Sequence, residues 1–489
     1  MLAAGVHDLG TLVLSVRNEG QSIGTLAQRL IGKRAKVLFL FIILILVLMV
    51  NAVFAWVISN LFITFPASVL SIFIQIPLAV WIGYSTYRGE GNMLWPAVGA
   101  LAAMYAAAVA ASYVPVLQID VVQYFGGAEQ VVAMGLSGTS MAFLIWILVL
   151  MSYVYVASTL EVWKLLQPRD YINSHQLLLG LGILYLGLFF SNPEVTAPAI
   201  NATSGGEAAA SWFPLLFITV ACGAISGFHG LVSSGTTSKQ LDTEPDARFV
   251  GYLGAVGEGA LALITIIATV TVFQNEGAFL RTYGSFAEAS SGGLAAFVRG
   301  AAELATGLWI PAEAARTIIA VIVVSFAATT LDTSVRLMRY IIAELGAEYE
   351  VPSLTGTHTA TALAVGASAA LVLLPEGPKG FGSGGYLLWP LFGTSNQLLA
   401  GISLLLISIW LKKRGRNPIY TLAPMVFLLF MTFWAMIEQV FGEWSGWGPE
   451  SDGNLLLFGF GAIILGFAVW IVLEAVRAWR VGKEQPEAA

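Results

Sequence analysis

Charge is scarce in this chain. Of 489 residues only 11% are Asp, Glu, Lys or Arg, against about 25% in a soluble domain, which excludes nucleic-acid modules and ordinary soluble enzymes. Cysteine is scarcer still: Cys222 stands alone, so no internal disulfide can staple the fold. No zinc-binding spacing, Walker loop, dinucleotide fingerprint or nucleophile elbow occurs, so no cofactor and no metal is expected and the chain by itself does not drive ATP-fuelled pumping.

Apolar sequence is abundant. Hydrophobic residues make up 57% of the chain and its mean hydropathy is +0.80. Segments at 37–60, 63–86, 93–116, 138–160, 175–196, 211–234, 250–273, 314–335, 357–374, 385–411, 419–440 and 454–476 are each long enough to cross a hydrocarbon core of about 30 Å. An all-α polytopic membrane protein of about 12 transmembrane helices follows. Its expected divisions are 1–36, a truncated or re-entrant first helix with a cytoplasmic segment; 37–478, the transmembrane domain; and 479–489, a cytoplasmic tail. Alternating the spans from a cytoplasmic start leaves only Arg281, Arg299, Arg316 and Lys379 outside, with the other 19 of 23 Lys and Arg inside. The positive-inside rule thus supports both count and phase and puts the C-terminus in the cytoplasm. Gly293 to Leu308 is expected as a helix on the membrane surface, and Asn201-Ala202-Thr203 matches a glycosylation acceptor.

Polar residues inside spans are functional candidates by default, because burying an ionisable group in lipid costs at least about 2.5 kcal/mol. ACGAISGFHGLVSSGTTSKQ at 221–240 reads as a broken helix. Ser226, Gly227, His229, Ser233, Thr236 and Thr237 are its candidate substrate contacts, since freed backbone groups are tolerated where they line a cavity. Close packing through small residues explains the same glycines. Ser226 and His229 also allow a nucleophile and its base. Glu258, ten residues past Arg248, falls near the midplane, where a poorly solvated carboxylate suits proton binding. Thr329, Thr330 and Asp332 offer oxygen ligands to a cation, although Arg336 lies four residues on and permits an ion pair. LWPLFGTSNQ at 388–397 reads as a second interrupted helix bringing Asn396 and Gln397, while Pro193 ends another helix. His7 and Asp8 lie about 13 to 15 Å deep in the opening apolar stretch, which is expected to be a helix lacking its first part.

CGAISGFHGLVSSGTTSKQL, FAATTLDTSVRLMRYIIAEL, LWPLFGTSNQLLA and HDLGTLVLSVRNEGQSIG together resemble the carbon starvation protein A (CstA) family. The resemblance implies a prokaryotic inner-membrane transporter induced on carbon limitation, taking short peptides or, in some members, pyruvate with protons. It also implies the fold of the amino acid/polyamine/organocation transporters, two inverted five-helix repeats with broken helices. The expected partners are then a small solute, H⁺ or Na⁺ and the lipid bilayer, with no nucleic acid and with a homo-oligomer left open. Family members usually carry hydrophobic segments ahead of the position of His7. An intramembrane enzyme and a non-transporting sensor are the rival readings.

Overall fold

The computed structural model describes residues 2–89, 92–199, 225–283, 286–377, 380–447 and 453–480, together with 213, 214 and 218. Ten of the described helices are long and apolar enough to cross a membrane: Lys33–Thr64, Pro66–Arg88, Leu94–Tyr113, Gly138–Thr159, Leu166–Ser191, Arg248–Thr271, Ala312–Glu348, Trp389–Lys413, Ile419–Glu443 and Leu455–Arg480. Two shorter apolar helices, Ala3–Val16 and Thr357–Leu373, complete the set. No strand occurs among the described residues. Eleven residues of the expected span at 211–234 lie outside the described set, as does Asn201-Ala202-Thr203, and the helix described in that span is Gly227–Gly235.

The bundle is organised around Lys33–Thr64 and Ala312–Glu348, which pack along much of their length. Runs of small residues such as Ala314, Ala315, Ala320, Ala327 and Ala328 let the backbones approach, and in lipid such close packing replaces the hydrophobic drive. Lys36 clamps one end of the pair with its ammonium 3.0 Å from Glu348. Trp389–Lys413 runs through the interior with almost every residue from Thr394 to Trp410 buried. Local signals set several ends: Ser22 and Ser137 accept first-turn amides as N-caps, and Asn192 turns left-handed (φ 40°) to stop Leu166–Ser191 before Pro193.

Two expectations are corrected. Phe286–Thr306 is not a helix lying on the membrane surface: Ala296, Val298, Ala301, Ala302 and Leu304 are buried against Leu166–Ser191, Gly254–Thr271 and Ala312–Glu348. Its small residues make the fit, since a Cβ at Gly300 would lie 2.0 Å from the Ala268 carbonyl oxygen. The break expected within 388–397 falls instead at Leu388, between the four-residue helix Gly384–Leu387 and Trp389–Lys413. Pro390 sits in the first turn of Trp389–Lys413, where its missing N–H breaks no hydrogen bond, and the helix continues through Asn396 and Gln397.

Candidate functional site

The short helix Gly227–Gly235 is the centre of the site. Ser226 is extended (φ −123°, ψ 125°), and the helix begins at Gly227 and stops at Gly235. Gly227 is required by contact, because a Cβ there would meet the Asn396 carbonyl oxygen at 2.4 Å and the Leu399 Cβ at 2.6 Å. Asn396 on the neighbouring helix then acts as an N-cap supplied from outside: its Oδ1 accepts from the Phe228 amide at 2.8 Å, and its Nδ2 donates to Ser226 Oγ at 2.9 Å. This contact corrects the pairing of Ser226 with His229 as nucleophile and base, since the Ser226 hydroxyl is engaged with an amide while the His229 ring faces carboxylates.

Leu2–Val16 lies alongside Gly227–Gly235 in the same direction, with residues 8, 11 and 15 stepping along 229, 233 and 238. Thr11 Oγ1 is 2.8 Å from Ser233 Oγ, and Ser15 Oγ lies 3.0 Å from Ser238 Oγ and 3.1 Å from the Ser234 carbonyl. Gly230 leaves room for the His7 ring, 3.3 Å from where its Cβ would be. Polar contacts of this kind hold two helices together where apolar burial gives little preference for one partner over lipid.

At the Asp8 end of this seam four ionisable groups meet. Asp8 bridges two histidines, with Oδ1 at 2.7 Å from His7 Nδ1 and Oδ2 at 3.0 Å from His229 Nδ1. Glu258 Oε2 lies 3.5 Å from the same His229 nitrogen. The His7 side chain is fully enclosed, whereas His229 and Glu258 retain 33% and 30% of their exposure; the cluster therefore has one sealed end and one end open to accessible space. A π-helical turn at Arg248–Leu253 precedes Glu258, and such turns are frequent at functional sites. It presses directly on the first helix: a Cβ at Gly251 would lie 2.9 Å from the Leu9 Cα.

A second polar cluster sits across the bundle, and it corrects the expected partner of Asp332. Asp332 pairs with Arg169, both side chains being 1% exposed. Tyr153 donates to the same carboxylate oxygen at 2.8 Å and accepts from the same guanidinium. Arg336 instead donates to the Ala157 and Leu160 carbonyls, 2.8 Å each, at the end of Gly138–Thr159. Gln75 accepts from Arg169 Nε at 3.4 Å and donates to Asn173, which reaches Thr329. Asp332 thus has its counter-charge inside the protein, and Thr330 donates to the Phe326 carbonyl of its own helix. Thr236 and Thr237 line a cavity of about 310 Å³ with Asp170, Gln240 and Thr333, joining the end of the broken helix to this cluster. Gln397 is fully buried with neither amide atom hydrogen-bonded.

Reading the sequence alone overlooks Arg169, Asp170, Tyr153, Asn173 and Gln75. A signal was present in the uncharged amides Asn51, Gln75, Asn173 and Gln176, all buried within apolar helices, because such groups seek polar partners in a membrane.

A bundle of membrane-length helices with a short helix, Gly227–Gly235, inside it and an enclosed set of ionisable groups has the architecture of a multi-pass membrane transporter. Residues 1–288 and 277–435 match the family model described as carbon starvation protein CstA, and the chain belongs to that family. It is 31% identical over 508 residues to the peptide transporter CstA of Helicobacter pylori, covering 93% of this chain and 70% of that protein. The peptide transporter CstA of Campylobacter jejuni is 29% identical over 511 residues, covering 93% and 68%. The pyruvate/proton symporter BtsT of Escherichia coli is 28% identical over 540 residues, covering 93% and 70%. The chain therefore spans somewhat more than two thirds of the length of these relatives. Among solved structures, a manganese transporter of Eremococcus coleocola aligns over 98% of this chain and 95% of its own at 12% identity, with a TM-score of 0.43. The chain is a transporter and not an enzyme.

Proposed function

We propose that the chain imports a small carbon source, a short peptide or pyruvate, by proton-coupled symport across the cytoplasmic membrane under carbon limitation, with its C-terminus in the cytoplasm. The single observation that carries the coupling is the Asp8 carboxylate held between His7 and His229 beside Glu258. A proton delivered to the open end of this chain of groups neutralises a carboxylate and weakens its hold on His229. The seam between Leu2–Val16 and Gly227–Gly235 then loosens, which ties protonation to movement of the broken helix. The presence of two imidazole nitrogens favours H⁺ over Na⁺, because hard cations take oxygen ligands.

Ser226, Gly227 and Asn396 form the solute end of this reading. A solute carboxylate would replace the Asn396 amide oxygen at the start of the Gly227–Gly235 helix, where exposed amides and the helix dipole favour negative charge. Ser233, Thr236 and Thr237 continue toward the cavity beside Asp170, giving a polar path to the cytoplasmic side. Uptake of labelled pyruvate and a labelled dipeptide in cells lacking their own carriers tests this directly. Ionophore-sensitive accumulation of one of them supports symport, and chemical conversion of the solute or binding without accumulation would replace the reading by an enzyme or a sensor.

A further inference from the structure

Thr236 and Thr237, just past the end of Gly227–Gly235, line the cavity of about 310 Å³, a volume at the lower end of small-solute pockets. Its lining divides by chemistry. Leu166, Val232, Leu241 and Val250 make an apolar wall, whereas Asp170, Thr236, Thr237, Gln240 and Thr333 bring side-chain oxygens. No Lys, Arg or His lines it among the described residues. Asp170 is exposed; Thr329 and Arg169 stand beside it, but the Arg169 guanidinium is bonded to Asp332, Tyr153 and Gln75. Arg336 is likewise turned to the Ala157 and Leu160 carbonyls. The Thr236 hydroxyl oxygen is buried without a hydrogen-bond partner among the described residues. Gln240 is held in place, its side-chain oxygen accepting from Gln167 at 2.9 Å while Gln167 accepts from Tyr87 at 2.6 Å.

A primary ammonium has three donors and no acceptor, so a carboxylate and an unengaged hydroxyl beside an apolar wall suit an ammonium flanked by an alkyl group. The carbonyl end of Gly227–Gly235 adds partial negative charge on the same side. A solute whose only charge is a carboxylate, as in pyruvate, would instead meet a like charge at Asp170, and such a contact works against binding. We propose that this cavity receives a primary ammonium group of the solute, as the amino end of a short peptide carries, and that Asp170 selects for it. On the importer reading above, on which this rests, the two ends of one short helix divide the work: the amide end at Phe228 favours a carboxylate and the far end favours an ammonium.

The test is isothermal titration calorimetry of the purified chain in detergent with dialanine, N-acetyl-dialanine, alanine and pyruvate. Dialanine should bind at least about tenfold more tightly than N-acetyl-dialanine, as the loss of a charge-assisted hydrogen bond implies. Asp170→Asn should weaken dialanine by a similar factor and leave N-acetyl-dialanine within about twofold, a difference that a merely structural role for Asp170 would not produce. Should the variant misfold, the acetylated and free dipeptides on the wild-type chain decide the matter. Alanine binding as tightly as dialanine assigns the ammonium to a free amino acid, and tighter dialanine assigns it to a peptide; either keeps it at Asp170. No binding of dialanine or alanine, equal binding of the acetylated dipeptide, or equal weakening of both dipeptides by Asp170→Asn overturns the proposal. Binding is read apart from coupling. Pyruvate accumulated by a chain that binds neither dialanine nor alanine would keep symport and overturn this site, whereas dialanine bound but never accumulated would keep the site and overturn symport.

Discussion

Removing Asp332 should destabilise the bundle far more than removing Asp332 and Arg169 together. Both side chains are 1% exposed and directly paired, so Asp332→Asn leaves a guanidinium, still bonded to Tyr153 and Gln75, without its paired carboxylate. Breaking a buried pair from one side costs about 3–5 kcal/mol, whereas replacing both partners by apolar groups of similar volume is often near neutral. Arg169→Met with Asp332→Leu should therefore fall within about 2 kcal/mol of the wild type, the remainder reflecting Gln75 and Tyr153 left without their partner. The coupling from the cycle of wild type, Arg169→Met, Asp332→Leu and their double variant should exceed about 2 kcal/mol. Reversible unfolding in mixed detergent micelles, followed by tryptophan fluorescence, reads these differences. A double variant as unstable as the sum of the two singles would refute the pairing as a structural lock and return Asp332 to the candidates for ion coupling.

Other outcomes follow from the same geometry. Glu258→Gln should abolish proton-driven accumulation while leaving expression and membrane insertion intact, since the residue is partly open and its nearest charged group is His229; wild-type uptake would remove it from the mechanism. His229→Ala should lower uptake at least tenfold more than Lys239→Ala, because only His229 joins Asp8 to Glu258, and equal effects would count against it. Gly227→Ala should cost about 1–3 kcal/mol by overpacking, since its new methyl would meet backbone atoms at Asn396 and Ala400; unchanged stability and transport would show that the seam yields easily.

Much of the architecture is legible in the sequence because a membrane imposes length and polarity at once. Lys33–Thr64 announces itself by an unbroken apolar run, and Gly227 with Ser226 announces a break, since neither glycine nor free backbone groups suit a lipid-facing helix. Pairings across the bundle are a different matter. Asp332 has a plausible cation four residues away in Arg336, and only the packing of Leu166–Ser191 against Ala312–Glu348 brings Arg169, 163 residues distant, to it. Arg169 itself reads as a topological anchor because it stands near the start of its helix. Pro390 misplaces the break by a few residues: the short helix Gly384–Leu387 ends at Leu388, and Pro390 sits in the first turn of the helix that starts at Trp389. Phe286–Thr306 hides because its face is alanine and glycine, which hydropathy patterns scarcely distinguish from a surface helix.

The central claim is that protonation of the cluster around Asp8 powers solute entry. Its most direct test is uptake of labelled pyruvate and a labelled dipeptide by proteoliposomes holding the purified chain, with an inward proton gradient imposed or collapsed and with Asp8→Asn alongside. The account predicts accumulation of one solute that requires the gradient in the wild type and disappears in Asp8→Asn, with facilitated equilibration at most remaining. Accumulation driven equally by a sodium gradient alone, or gradient-driven accumulation undiminished in Asp8→Asn, would contradict it.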